Sequence, residues 1–363
     1  MINIRTKNSV TGGLIGICLM MVMYAQPYTQ HQLSLEEGLS QSTVFSMAQD
    51  SAGFCWFGTQ DGLNRYDGYQ FEVFKHEPFD STSLADNQVS ALACDTKNRL
   101  WVGFGFHGLD VFIPETNTFR HFTKTNNGLS SDLITCLRAG KDGHIWVGTS
   151  FGLNKVELNG DQLSVTSYFM EDSLPSSTQY IKSVYEDPQG RVYVGTWYGL
   201  TVLDPESGML MHVPINPKEK KEVSATRGVR AISQDKLGNL WLGTGDGLFM
   251  WDRKANIWVN YWGKYKDRSK DFFFSDIQVA ENGDLWASTV GSGVFMLPWI
   301  NEKRNYHDTW YHFSHRNGVR VHLSSDDVRV VMPDALNPNI IWLGHATAGV
   351  EKLVRRNAVF SSF

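Results

Sequence analysis

A chain of 363 residues that is 42% hydrophobic and 13% aromatic can bury a sizeable core, which excludes disordered, collagen-like and coiled-coil chains. Lys and Arg number 33 against 38 Asp and Glu, a net charge of −5 that lacks the basic excess of a nucleic-acid binder. With 12 Trp, 13 Tyr, 21 Phe and 33 Gly, the composition favours short aromatic strands joined by tight turns.

Residues 1–25 open with Arg5 and Lys7, continue as an apolar stretch from Gly12 to Tyr24 and end at Ala25. That layout predicts a secretory signal peptide cleaved near Ala25, because the 14 residues from Gly12 to Ala25 fall short of the ~20 that span a bilayer. Cys18 leaves with the signal. Cys55, Cys94 and Cys136, odd in number and irregular in spacing, form neither a disulfide framework nor a zinc pattern and are expected as small buried strand residues.

Residues 26–363 repeat one unit seven times. The phrase Trp-x-Gly-Thr-x-x-Gly-Leu begins at Trp56 and recurs, with local departures, from Trp101, Trp146, Tyr193, Trp241, Trp286 and Trp342. Successive spacings are 45, 45, 47, 48, 45 and 56 residues, the last interval carrying a surplus around residues 301–309 and 337–339. Twelve residues before the first six anchors stands an apolar residue, Val44, Val89, Ile134, Ile181, Val229 or Phe274. Three before them comes a Gly or Asn, and Asp50, Asp95, Asp187 and Asp235 fall six before theirs. One copy therefore reads as strand, Asp-x-x-Gly turn, strand with Trp-x-Gly-Thr, glycine turn, third strand, and a fourth strand with spaced aromatics.

Four short antiparallel strands in ~45 residues, seven times over, predict an all-β, seven-bladed β-propeller with the Trp anchors packed between neighbouring blades. Eight segments read as fourth strands, near Tyr28–Leu33, 69–75, 117–123, 164–170, 208–213, 256–262, 309–314 and 358–363. A ring closed by its own N-terminal strand uses seven of them, so residues 358–363 are expected to open a further repeat.

At these residues the sequence resembles the two-component regulator propeller repeat. The matching stretches are Gly38-Leu39-Ser40 with Val44, Asp50-x-x-Gly53, and Trp56 to Leu63 running into Arg65-Tyr66-Asp67-Gly68; Gly128-Leu129-Ser130 with Asp142-Gly143 and Trp146 to Leu153 match again. The resemblance covers residues 30–363. It implies the periplasmic sensor region of a bacterial histidine kinase or hybrid two-component system. A second propeller or C-terminal signalling domains would then lie on the same protein, and a second copy of the chain is a further candidate partner. A diguanylate cyclase sensor, an interaction scaffold and a secreted propeller lyase or glycosidase are the alternatives. No kinase or cyclase motif, phosphate loop or nucleophile elbow is present, and the His residues lack metal-ligand spacing, so no catalytic residue, metal or cofactor is expected.

Propellers usually bind at the mouth of the central channel, on the face carrying the loops that lead into the inner strands and the turns between second and third strands. In those turns Phe106, His107, Phe151, Trp197 and Tyr198 are aromatic where small polar residues would suffice. Arg227, Arg230 and Arg329 fall near the expected channel entrance. Aromatic rings to stack on sugars and Arg to meet a carboxylate or sulfate fit an acidic oligosaccharide or another small ligand.

Overall fold

The computed structural model describes residues 28–169, 179–204, 206–215, 228–261, 272–300, 305–306, 310–315 and 322–356. The expected signal peptide at 1–25 and the expected strand at 358–363 lie outside them.

Five repeats are organised by an aspartate turn, at Asp50, Asp95, Asp187, Asp235 and Asp334. Asp50 Oδ1 accepts the backbone N–H of Ala52 and Phe54, both at 3.0 Å, while Gly53 adopts φ +93°, a left-handed conformation that needs no Cβ. The other carboxylate oxygen accepts the indole N–H of Trp56 at 2.9 Å. Asp95 serves Trp101 at 3.0 Å and Asp235 serves Trp241 at 2.9 Å in the same way. One side chain thus shapes the turn and satisfies the only polar atom of a buried indole. Blade 3 has Gly140 at this position, and Trp146 donates instead to Glu186 of the next blade at 2.8 Å. All seven anchors are buried, none more than 4% exposed.

Seven four-stranded antiparallel sheets result. Blade 1 comprises Val44–Gln49, Cys55–Thr59, Gly62–Tyr66 and Phe71–Phe74, from the axis outward. The inner strands of blades 2 to 7 are Val89–Cys94, Ile134–Ala139, Ile181–Glu186, Val229–Gln234, Phe273–Val279 and Val328–Pro333. Each inner strand neighbours the next, and the seventh returns to the first. Blade 7 takes its outer strand from the N-terminus: Tyr28–Leu33 pairs antiparallel with Val350–Arg355, from Tyr28 opposite Arg355 to Leu33 opposite Val350. The surplus in the last interval includes a two-stranded hairpin, Trp299–Ile300 with Asn305–Tyr306, whose Tyr306 ring packs 5.4 Å from Trp241 of blade 5.

Blades stack through a glycine–aliphatic contact. A Cβ on Gly58 would lie 2.5 Å from Val89 Cγ1 of blade 2; on Gly103, 2.6 Å from Ile134 Cγ2 of blade 3; on Gly344, 2.9 Å from Val44 Cγ1 of blade 1. The glycine of Trp-x-Gly is therefore the socket for the first apolar residue of the next inner strand. Aromatics extend the seam, as with Trp56 and Phe112 at 5.2 Å and Phe57 and Trp342 at 5.9 Å. Cys55, Cys94 and Cys136 are free thiols within strands, and burial pushes each up to about 12.

Candidate functional site

The loop into each inner strand is tied to the turn between the second and third strands. In blade 1 the Ser40 N–H donates to Asn64 Oδ1 at 2.8 Å, and the Ser40 and Thr59 hydroxyls lie 2.9 Å apart. Ser130, Thr149 and Asn154 repeat the set in blade 3 at 3.1 and 2.9 Å. In blade 7 His345 and Glu351 replace Thr and Asn, with His345 Nε2 2.9 Å from Glu351 Oε2. These bonds hold one rim of the ring, the upper face, in fixed register around the channel mouth.

Immediately below that rim every inner strand bulges. Pairing with the second strand slips after Val44, Val89, Ile134, Ile181, Val229, Phe274 and Val328. A bulge turns one extra residue out of the ladder. Here these are Phe45, Ser90, Thr135, Lys182, Arg230, Ser275 and Arg329, and all seven line an axial cavity of about 240 Å³.

The chemistry of this ring is uneven. Ser90 Oγ donates to Ile134 O at 2.8 Å and Ser275 Oγ to Val328 O at 2.6 Å, stapling the next blade. Apart from Thr135, the remaining polar members are cations. Lys182 Nζ lies 4.0 Å from the Trp197 ring centre and 4.4 Å from that of Tyr180. The Arg230 guanidinium lies 5.5 Å from Trp197 and 5.3 Å from Phe273, and Arg329 lies 4.9 Å from Phe45. Among the described residues none of these three cations has a carboxylate partner. Burial, with Arg230 adding repulsion, lowers Lys182 to about 8. Deeper in the channel, Asp276 accepts the N–H of Ile277 at 2.8 Å and of Val331 at 3.1 Å, and burial raises its pKa. The lining as a whole carries Arg138, Lys182, Arg230 and Arg329 against Asp276 alone, so it attracts anions.

Of the eight residues expected at the site, the structure brings Trp197 and Arg230 together and sets Arg329 on the same ring of bulges. The other turn aromatics stand apart from the axis. Phe106 is 69% exposed in its turn, and His107 Nδ1 meets Asp86 Oδ2 at 2.8 Å. Phe151 packs 5.7 Å from Phe169, beyond the outer strand of its own blade. Tyr198 occupies the turn position equivalent to Phe151, its N–H donating to Thr196 Oγ1 at 3.1 Å. Arg227 lies outside the described residues. Turn position explains the split: the first residue, as in Trp197, leans to the axis, whereas the second, as in Asp61 with its 2.6 Å bond to Lys75, leans to the outer strand.

Sequence reasoning missed Lys182, Tyr180, Phe45 and Phe273. The available signal was the column directly after the apolar residue twelve before each of the first six anchors, where Lys182 and Arg230 break an otherwise uncharged series; Arg329, thirteen before Trp342, falls out of that column. Two larger recesses, about 570 and 440 Å³, open on the lower face. In the first, Arg191 and Arg253 share Asp187 at 2.7 and 2.9 Å, so part of its positive charge is already matched.

The architecture is that of a seven-bladed β-propeller assembled from copies of one sequence unit, with its lined mouth on the upper face. The sequence profile described as "Two component regulator propeller" matches residues 38–61, 83–105, 128–151, 175–198 and 225–246, so five of the seven copies are repeats of the two-component regulator propeller kind. Histidine kinase P4 of Formosa agariphila is 49% identical over 49 residues, 14% of this chain and 4% of the kinase. The extracellular domain assigned to hybrid two-component system BT3049 of B. thetaiotaomicron has a TM-score of 0.72 at 23% identity, over 90% of this chain and 42% of that one. Virginiamycin B lyase of Staphylococcus aureus has a TM-score of 0.66 at 12% identity, over 91% of this chain and 100% of the lyase. The chain thus spans under half the length of the kinase and of the extracellular domain. At these identities the two solved structures establish the fold.

Proposed function

We propose that this chain is an extracytoplasmic, non-catalytic sensing propeller of a two-component signalling protein, and that it binds an acidic oligosaccharide at the upper mouth of its channel. The observation that carries the ligand class is the set Lys182, Arg230 and Arg329, three cations braced by aromatic rings and left without carboxylate partners among the described residues. Cations drawn partly out of water are ordinarily paired, so an unpaired, half-buried cluster at a concave mouth fits a ligand that brings its own negative charge. The regulator-propeller family, the short kinase match and the extracellular sensor neighbour support the signalling half. Export follows from the signal-peptide layout of residues 1–25.

Isothermal titration of the purified chain against acidic and neutral oligosaccharides tests the reading. Saturable binding of an acidic member, weakened at least ~10-fold by Arg230→Ala with Arg329→Ala, is expected from the loss of charge-assisted hydrogen bonds. Silence across the acidic members, or binding indifferent to both substitutions, rejects it.

A further inference from the structure

Lys182 and Arg230 rise from equivalent bulges of adjacent blades and lie against one Trp197 ring, at 4.0 and 5.5 Å. The groups that bear on Lys182 come from three blades. Its own blade supplies Tyr180 and Trp197, blade 3 supplies Cys136, held as a neutral thiol by burial, and blade 5 supplies Arg230. Asp276, on blade 6, lines the same cavity and is engaged with backbone N–H groups of Ile277 and Val331. Ring faces offset part of the desolvation of a cation, but they do not relieve repulsion between two neighbouring cations. An anion placed between them does.

Building on the acidic-ligand reading, we propose that one oxyanion group of the ligand, a carboxylate or a sulfate ester, is held between Lys182 and Arg230, and that filling this subsite draws a proton from solvent onto Lys182. Burial and Arg230 bring the ammonium down to about 8, so a fraction of Lys182 is neutral in mildly alkaline solution. An oxyanion within hydrogen-bond reach favours the charged amine and moves its titration upward. Affinity for the anion then falls as pH rises through 8, by about tenfold in all for an upward shift of about a unit. Trp197, expected from its residue type to stack on a sugar ring, serves instead to position the two cations.

The test is competitive acetylation with trace acetic anhydride across pH 6.5–10.5, following the Lys182 peptide by mass spectrometry, with digalacturonate, with inorganic sulfate and with neither. We expect Lys182 to titrate near pH 8, well below the ordinary range of an exposed lysine, and to shift upward by about a unit when either anion binds. Carboxylate and sulfate arms separate the two sources of oxyanion. Lys182→Arg is expected to keep anion binding and lose its pH dependence through 8, and Arg230→Gln to raise the Lys182 midpoint. The proposal is overturned if Lys182 titrates with the exposed lysines, or if neither anion moves it. An oligosaccharide that binds with Lys182 unmoved leaves the sensor reading standing and removes this one. A sulfate-shifted Lys182 in a chain that binds no oligosaccharide does the reverse.

Discussion

Lys182 sits where folding alone favours a neutral side chain. Its native titration near 8 lies below the ~10.4 of an unfolded lysine, so between those values the unfolded chain holds more protons and stability climbs with pH. Below pH 8 both states carry the proton and the destabilisation is present in full. Lys182→Met is therefore expected to raise Tm at pH 7, with the gap from the parent chain closing by pH 10.5; calorimetry at several pH values measures it, and a gap that ignores pH assigns the gain to packing instead. A residue that binds at a cost in stability is a common sign of a functional position. Asp235 is the opposite case. It accepts from Leu237 N, Asn239 N and Trp241 Nε1, each at 2.9 Å. Asp235→Ala is expected to cost about 2–4 kcal/mol in chemical denaturation, through an orphaned indole and a loosened turn.

Between blades, the socket glycines set tolerance. A Cβ at Gly148 would lie 2.5 Å from Cys136 Sγ and 2.7 Å from Ile181 Cγ2, both side chains of packed inner strands. Gly148→Ala is expected to cost about 1–3 kcal/mol, read from the denaturation midpoint at unchanged slope. Both halves of this contact were visible in the sequence as columns, the glycine two after every anchor but Trp286, which has Ser288, and the apolar residue twelve before the first six. What periodicity did not reveal is that they touch across blades, since nothing in a single repeat encodes its neighbour. The turn aspartates were legible as turn formers, yet their bond to the indole depends on strand register. The site was least legible, because a bulge interrupts the two-residue alternation from which facing is read. Hence Lys182 went unnoticed, while Phe151, chosen by residue type, packs towards the rim.

At the scale of the ring, charge and closure matter most. The chain carries a net charge of −5, yet its channel lining is basic, so the acidic ligand we propose would be drawn by a local field within an otherwise repelling surface. Raising salt from ~50 to ~500 mM is expected to weaken acidic-ligand binding severalfold in titration, with neutral ligands unaffected. Closure rests on Tyr28–Leu33, whose Tyr28 ring stands 5.8 Å from Trp286 and 5.4 Å from Phe313 of blade 6. Deleting residues 28–33 is expected to broaden the single unfolding transition and lower its midpoint, seen by circular dichroism, because blade 7 loses its outer strand and the seam to blade 6 opens. The same pairing has a mechanical consequence. With Tyr28 opposite Arg355 in an antiparallel ladder, the two ends of the closing seal emerge side by side on the lower rim. A pull between them would peel the six rungs one after another, as a zip opens, instead of straining all six at once. Force applied between Tyr28 and Arg355 therefore loads the closing seal one rung at a time.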